Sequence, residues 1–128
     1  MGGEQRAICN ACRYRFSVNI GGGFTFHLLR CNRCGGEKAI GFDSLGDIHL
    51  RYLKGLQGPY SVATADYDRD VQRNYPGEPL SEGDYKSKVE DFAGKCGCGG
   101  QYKFNAPPRC PKCKSPDLKM GKVFVHYD

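Results

Sequence analysis

The chain has 128 residues, 39% of them hydrophobic, with 18 Gly, 7 Pro, 8 Cys and a formal net charge of +5. So little apolar material builds a limited core, and a module of this kind needs a disulfide or metal staple. No apolar run approaches the ~20 residues that cross a bilayer, and Met1-Gly2-Gly3-Glu4-Gln5-Arg6 has neither the apolar stretch of a secretory signal nor a myristoylation pattern. No membrane is therefore expected as a partner, and a reducing cytoplasm is expected as the location. There, paired cysteines bind metal more readily than they form disulfides.

The cysteines fall in four close pairs: Cys9 and Cys12, Cys31 and Cys34, Cys96 and Cys98, Cys110 and Cys113. The first four read C-x2-C-x18-C-x2-C and the last four C-x-C-x11-C-x2-C. Thiolates are soft ligands, and Zn2+ takes four of them in a tetrahedron. Grouping neighbours in sequence predicts one Zn2+ on Cys9, Cys12, Cys31 and Cys34 and a second on Cys96, Cys98, Cys110 and Cys113. Iron is the alternative ion at either site. Such four-cysteine sites resemble the zinc ribbon family over residues 9–42 and 96–127. The "CPKC" turn and the Gly after Cys34 and Cys98 resemble rubredoxin, although Arg13 and Lys114 follow the other two turns. The ribbon resemblance implies strands over residues 14–18, 24–30 and 38–42, with Gly21-Gly22-Gly23 as a hairpin turn.

The middle is acidic. Residues 44–92 carry a net −3, against +3 for residues 1–43 and +5 for residues 93–128. A helix is predicted over 44–56, opened by Ser44 with Asp47 and striped by Leu45, Ile48, Tyr52, Leu53 and Leu56. The stretch 57–80 is too long for a structureless loop in a compact protein, and Tyr67, Val71 and Tyr75 suggest a short helix ended by Pro76. A further helix is predicted over 81–92, with Tyr85, Val89 and Phe92 as its stripe and Gly94 as its end. The two longer stripes are too small for a core of their own. They pack within the chain or present a recruitment surface.

In the last segment the resemblance implies a strand over 101–105, a connection at Ala106-Pro107-Pro108, and a closing strand over 118–127 with a bend at Gly121. The expected fold is thus a small metal-stapled α+β protein: two antiparallel β zinc ribbons, 1–43 and 93–128, joined by a mainly helical insert, 44–92. Alternation along strands puts Tyr14 and Phe16 on one face and Arg13 and Arg15 on the other, and sets Tyr102 and Phe104 opposite Lys103. Phe16 and Phe104 are read as core, while Tyr14 and Tyr102 are open between core and surface. His27, His49 and His126 are read as packing or surface residues, since eight thiolates already fill two tetrahedra.

No phosphate-cradling Gly loop, H-E-x-x-H or nucleophile elbow is present. Closed four-cysteine sites leave no open coordination position, so no enzymatic activity and no small-molecule substrate are expected. The expected function is that of an adaptor docking on a protein partner, with nucleic acid as the alternative. Arg13, Arg15, Arg30, Arg33, Lys103, Arg109, Lys112 and Lys114 are the phosphate-contact candidates. A second class is metal handling or electron transfer. The "CGG…CPKCKS" segment is similar to the zinc domain of hydrogenase-maturation nickel chaperones, which begin Met-His-Glu where this chain begins Met-Gly-Gly.

Overall fold

A computed structural model describes residues 2–127. It holds two three-stranded antiparallel sheets and four helices, with no disulfide among the described cysteines. The strands are β1 (Gly2–Cys9), β2 (Arg15–Ile20), β3 (Phe26–Cys31), β4 (Glu37–Gly41), β5 (Tyr102–Lys103) and β6 (Leu118–Tyr127). The helices α1 (Phe42–Leu45), α2 (Asp47–Gly55), α3 (Ala65–Asn74) and α4 (Glu82–Ala93) all lie between β4 and β5.

The sheets do not separate by sequence. The outer sheet has the order β2-β1-β6, so the first strand of the chain is flanked by the second and the last. The inner sheet has the order β4-β3-β5. The chain is therefore nested: it opens the outer sheet, builds the inner one around the helices, and returns to close the outer one. Two crossings make this work. Gly21-Gly22-Gly23 carries the chain from β2 to β3, and residues 104–117 carry it from β5 to β6. The glycine run is thus an inter-sheet crossing rather than a hairpin within one ribbon. A Cβ on Gly22 would lie 2.5 Å from the Phe26 carbonyl oxygen, so the crossing has no room for a side chain.

In the outer sheet, Ala7, Cys9 and Val18 are buried. Along β6 the register slips twice: Glu4 pairs with Val125, Gln5 with Val123 and Ala7 with Met120. These bulges, at Phe124 and at Gly121–Lys122, break the simple alternation of the strand. In the inner sheet, His27 pairs with Ile40 and Leu29 with Lys38.

The main core lies where the helices meet the inner sheet. Leu29 and Ile40 pack with Leu45, Leu80, Tyr85, Val89 and Ala93, and Phe42, Ile48, Tyr52, Tyr102 and Phe104 close around them. The helical stripes are thus buried within the chain. Lys38 Nζ donates to the Ala93 carbonyl at the end of α4 (2.9 Å), and Glu90 accepts from the Phe104 amide (3.0 Å).

The predicted 44–56 helix is two helices broken at Gly46 (φ 57°). Ser44 opens neither of them, because α1 already starts at Phe42, directly off β4. Helix α3 ends before Pro76 as expected, but its inward residues are Asp68 and Val71, and Tyr67 is exposed. Ser81 caps α4 by accepting from the Asp84 amide (3.2 Å), and Ala93 is buried there in place of the exposed Phe92. No helix of the described residues is long and apolar enough to cross a membrane.

Candidate metal centres

Each cysteine pair sits on a tight turn beside a strand end. Cys9 ends β1, Cys31 ends β3, Cys96 and Cys98 precede β5, and Cys110 and Cys113 precede β6. Because β1 pairs with β6 and β3 with β5, the sheets bring together pairs that are far apart in sequence. The resulting groups are Cys9, Cys12, Cys110 and Cys113, and Cys31, Cys34, Cys96 and Cys98, with the ligand atoms of each group within 4.8 Å of one another. The grouping by sequence neighbours is thereby overturned: each quartet takes one pair from either end of the chain. Ladder register, not sequence proximity, decides the partners.

The sulfur separations fit an ion. Cys9 Sγ lies 3.5 Å from Cys113 Sγ, Cys12 Sγ 3.6 Å from Cys110 Sγ, Cys31 Sγ 3.4 Å from Cys98 Sγ and Cys34 Sγ 3.7 Å from Cys96 Sγ. A tetrahedron with ~2.3 Å metal–sulfur bonds has edges of about 3.8 Å, whereas a disulfide bond is about 2.05 Å. Two four-cysteine groups could therefore each hold a metal ion.

Backbone amides prepare the sulfurs for that role. Cys9 accepts from the Cys12 amide (3.5 Å), Cys31 from the Arg33 and Cys34 amides (both 3.4 Å), and Cys110 from the Lys112 (3.4 Å) and Cys113 (3.5 Å) amides. The Cys12 amide holds the Cys9 thiol below its usual range. The Cys98 amide and the Tyr102 hydroxyl bring Cys96 down to about 6. Burial opposes ionisation at Cys110, yet the Cys113 and Lys112 amides bring it to about 6. At Cys98 the Gly100 amide pulls down, but the thiols of its quartet, Cys31 first, push it up to about 11. Each quartet thus starts with sulfurs of unequal acidity that a bound cation would level.

All four turns close alike. The residue after each second cysteine is left-handed: Arg13 (φ 66°), Gly35 (φ 75°), Gly99 (φ 96°) and Lys114 (φ 66°). The two glycine-closed turns share the inner quartet, and the two closed by a cation share the outer one. Packing is closest at Gly100, where an added Cβ would lie 2.4 Å from Cys31 Sγ.

The basic candidates divide. Arg30 is buried beside Glu37 (3.5 Å), and Lys103 pairs with Glu90 (3.5 Å). Arg109 donates to the Lys114 and Asn32 carbonyls, and Arg33 to the Cys98 carbonyl (3.4 Å). Arg13, Arg15, Lys112 and Lys114 are exposed around the outer quartet, where Lys112 Nζ lies 5.9 Å above the Tyr14 ring.

Sequence reasoning missed a second polar cluster. The Tyr85 hydroxyl lies 2.7 Å from both His27 Nε2 and His49 Nδ1. Burial lowers both imidazoles to about 4. The buried Asp68 accepts from the Tyr60 amide (2.8 Å) and the Thr64 hydroxyl (2.7 Å). His49 lies one turn before Leu53 on the apolar side of α2, a signal that it belongs to the core. Nothing in the sequence marks Asp68, one of several aspartates in a polar helix.

Fold and centres together define a small α+β protein with two four-cysteine groups suited to metal. The chain belongs to the family described as Domain of unknown function (DUF8255), whose model matches residues 5–119. No curated protein and no solved structure matches the chain.

Proposed function

We propose that this is a non-enzymatic, cytoplasmic adaptor of zinc-ribbon type, with a structural Zn2+ in each quartet and a protein as its docking partner. The observation that carries the reading is the completeness of both quartets. Four thiolates close a tetrahedron and leave no position for a substrate, so the ions serve the fold. The partner reading rests on β6, which forms an edge of the outer sheet and exposes Met120, Val123, Phe124 and Val125. An apolar edge strand is a template for association.

Nucleic acid is the second reading, favoured by one feature. Arg13, Tyr14, Arg15, Lys112 and Lys114 form an exposed basic and aromatic tip at the outer quartet. Arg13 and Lys114 keep left-handed backbone there despite its steric cost. Rings that stack on bases and cations that hold phosphates form such surfaces.

Metal analysis of protein purified without added metal tests the first claim: two zinc per chain are expected, and red, iron-bearing protein would overturn it. Retention on single-stranded nucleic acid at low salt, lost at high salt, would move the assignment to the second reading. Without retention, Val123→Lys and Val125→Lys on β6 are expected to abolish partner association while both ions stay bound.

A further inference from the structure

A cavity of about 760 Å3 lies away from both quartets, between the start of β3, the β4–α1 junction, α2 and α3. Phe24, Phe42, Tyr60, His49, Asp43 and Asp68 are among the residues lining it. Two of its walls stand at right angles: the Phe42 and Tyr60 ring planes meet at 89° with centroids 5.3 Å apart. Phe42 is backed by His49, stacked at 3.9 Å.

The polar groups are built in. Asp68 is 2% exposed, and both its donors, the Tyr60 amide and the Thr64 hydroxyl, reach Oδ2. Oδ1 has no partner among the described residues. Tyr60 thus supplies both an aromatic wall and the amide that fixes the carboxylate. His49, 5% exposed, has Nδ1 on the Tyr85 hydroxyl, while Nε2 has no partner among the described residues. Tyr85 in turn bonds His27, which locks the ring of His49.

Charge then selects the occupant. The chain as a whole is +5, yet the cavity is lined by two aspartates and by no lysine or arginine. Aromatic faces attract cations, and a desolvated carboxylate beside them adds a direct counter-ion. The two aspartates would repel an anion, and a neutral apolar group would leave Asp68 Oδ1 without a donor.

We propose that this cavity is a binding site for an organic ammonium group, held against Asp68 with Phe42 and Tyr60 as aromatic walls. The group could be supplied by a free amine or by a lysine side chain of a peptide.

The test titrates the metal-loaded full chain with phenylethylammonium, phenylethanol and phenylacetate, followed by backbone amide shifts in NMR. Phenylethylammonium is expected to shift Phe42, Tyr60 and Thr64, with phenylethanol at least about tenfold weaker and phenylacetate without effect. A blocked lysine tripeptide run in parallel distinguishes the sources: shifts at the same residues extend the site to peptides, and their absence confines it to free amines. Asp68→Asn keeps an acceptor for Tyr60 and Thr64 and is expected to lose at least about tenfold in affinity. Should that variant fail to fold, the exposed Asp43→Asn is expected to weaken phenylethylammonium severalfold and leave phenylethanol unchanged. Equal binding of amine and alcohol would overturn the proposal, and so would no shift with either amine up to about 10 mM.

Discussion

Arg109 reaches from one cysteine quartet into the other: its Nη2 donates to the Asn32 carbonyl at 3.4 Å, inside the turn between Cys31 and Cys34. Its Nη1 donates to the Lys114 carbonyl of its own turn at 3.1 Å. Its Cβ would meet any Cβ added to Gly35 at 2.7 Å. Nε is buried with no partner, so the residue is held by its fork and its stem. The guanidinium therefore ties together two turns that belong to different metal groups. Arg109→Ala is expected to cost about 1–3 kcal/mol in thermal unfolding of the metal-loaded chain. Chelator should then remove the two ions in separate phases instead of one. Arg109→Lys should not restore the single phase, because an ammonium cannot span both carbonyls.

Ligand grouping has a sharp stoichiometric consequence. Replacing Cys9, Cys12, Cys110 and Cys113 together by Ser removes one complete quartet and should leave one metal ion per chain. Replacing Cys9, Cys12, Cys31 and Cys34 breaks both quartets and should leave none. Grouping by sequence neighbours predicts the reverse for each quadruple variant. Elemental analysis of the two proteins separates the schemes.

Much of the local structure is legible in the residues. Ser81 and Gly94 bound α4, Pro76 follows α3, and the eight cysteines mark the four turns that form the two candidate metal groups. The long-range pairing is less legible, for a physical reason. Closing a quartet over about a hundred residues instead of about twenty costs only some 1–2 kcal/mol more loop entropy, against about 10 kcal/mol or more for structural zinc. Spacing is therefore a weak guide to partnership. Better signals lay in residues 2–8, a strand ahead of the first turn, and in the ten-residue β6, too long to be matched by the short strand after Cys98. The matching closures, Gly35 with Gly99 and Arg13 with Lys114, also divide the turns correctly. The ammonium cavity left no trace, because Asp68 and His49 become neighbours only when α2 and α3 pack.

Those closures carry a signed prediction. A non-glycine residue in left-handed backbone costs roughly 1–2 kcal/mol, partly offset by the larger unfolded-state entropy of glycine. Arg13→Gly and Lys114→Gly are each expected to be neutral or to stabilise the metal-loaded chain by up to about 1 kcal/mol. Gly35→Ala should destabilise it by more than that, since strain adds to the clash with Arg109. Thermal unfolding at fixed metal checks all three. If Arg13 and Lys114 also serve the nucleic-acid reading, their glycine variants gain stability while losing salt-sensitive retention.

Acid should weaken the fold through the imidazoles of the core. Burial, then the neighbouring His49 and Lys86, lowers His27 to about 4; burial lowers His49 to about 4 against an opposing pull from Asp68. The native state keeps both rings neutral, while the unfolded chain protonates them near pH 6.5. The unfolded state therefore binds more protons between about pH 6.5 and 4, and stability falls as pH falls through that window, levelling below it. Each ring contributes up to about 3 kcal/mol to that loss, and the two do not add fully because they share Tyr85. Thiolate protonation releases metal on acidification as well, so the diagnostic quantity is the difference between the parent chain and a His27→Gln/His49→Gln variant. That variant is expected to be less stable at about pH 7.5 and to lose less on going to about pH 5, as measured by denaturant unfolding at saturating metal. Parallel pH profiles would mean that the imidazoles are not the source of the acid sensitivity.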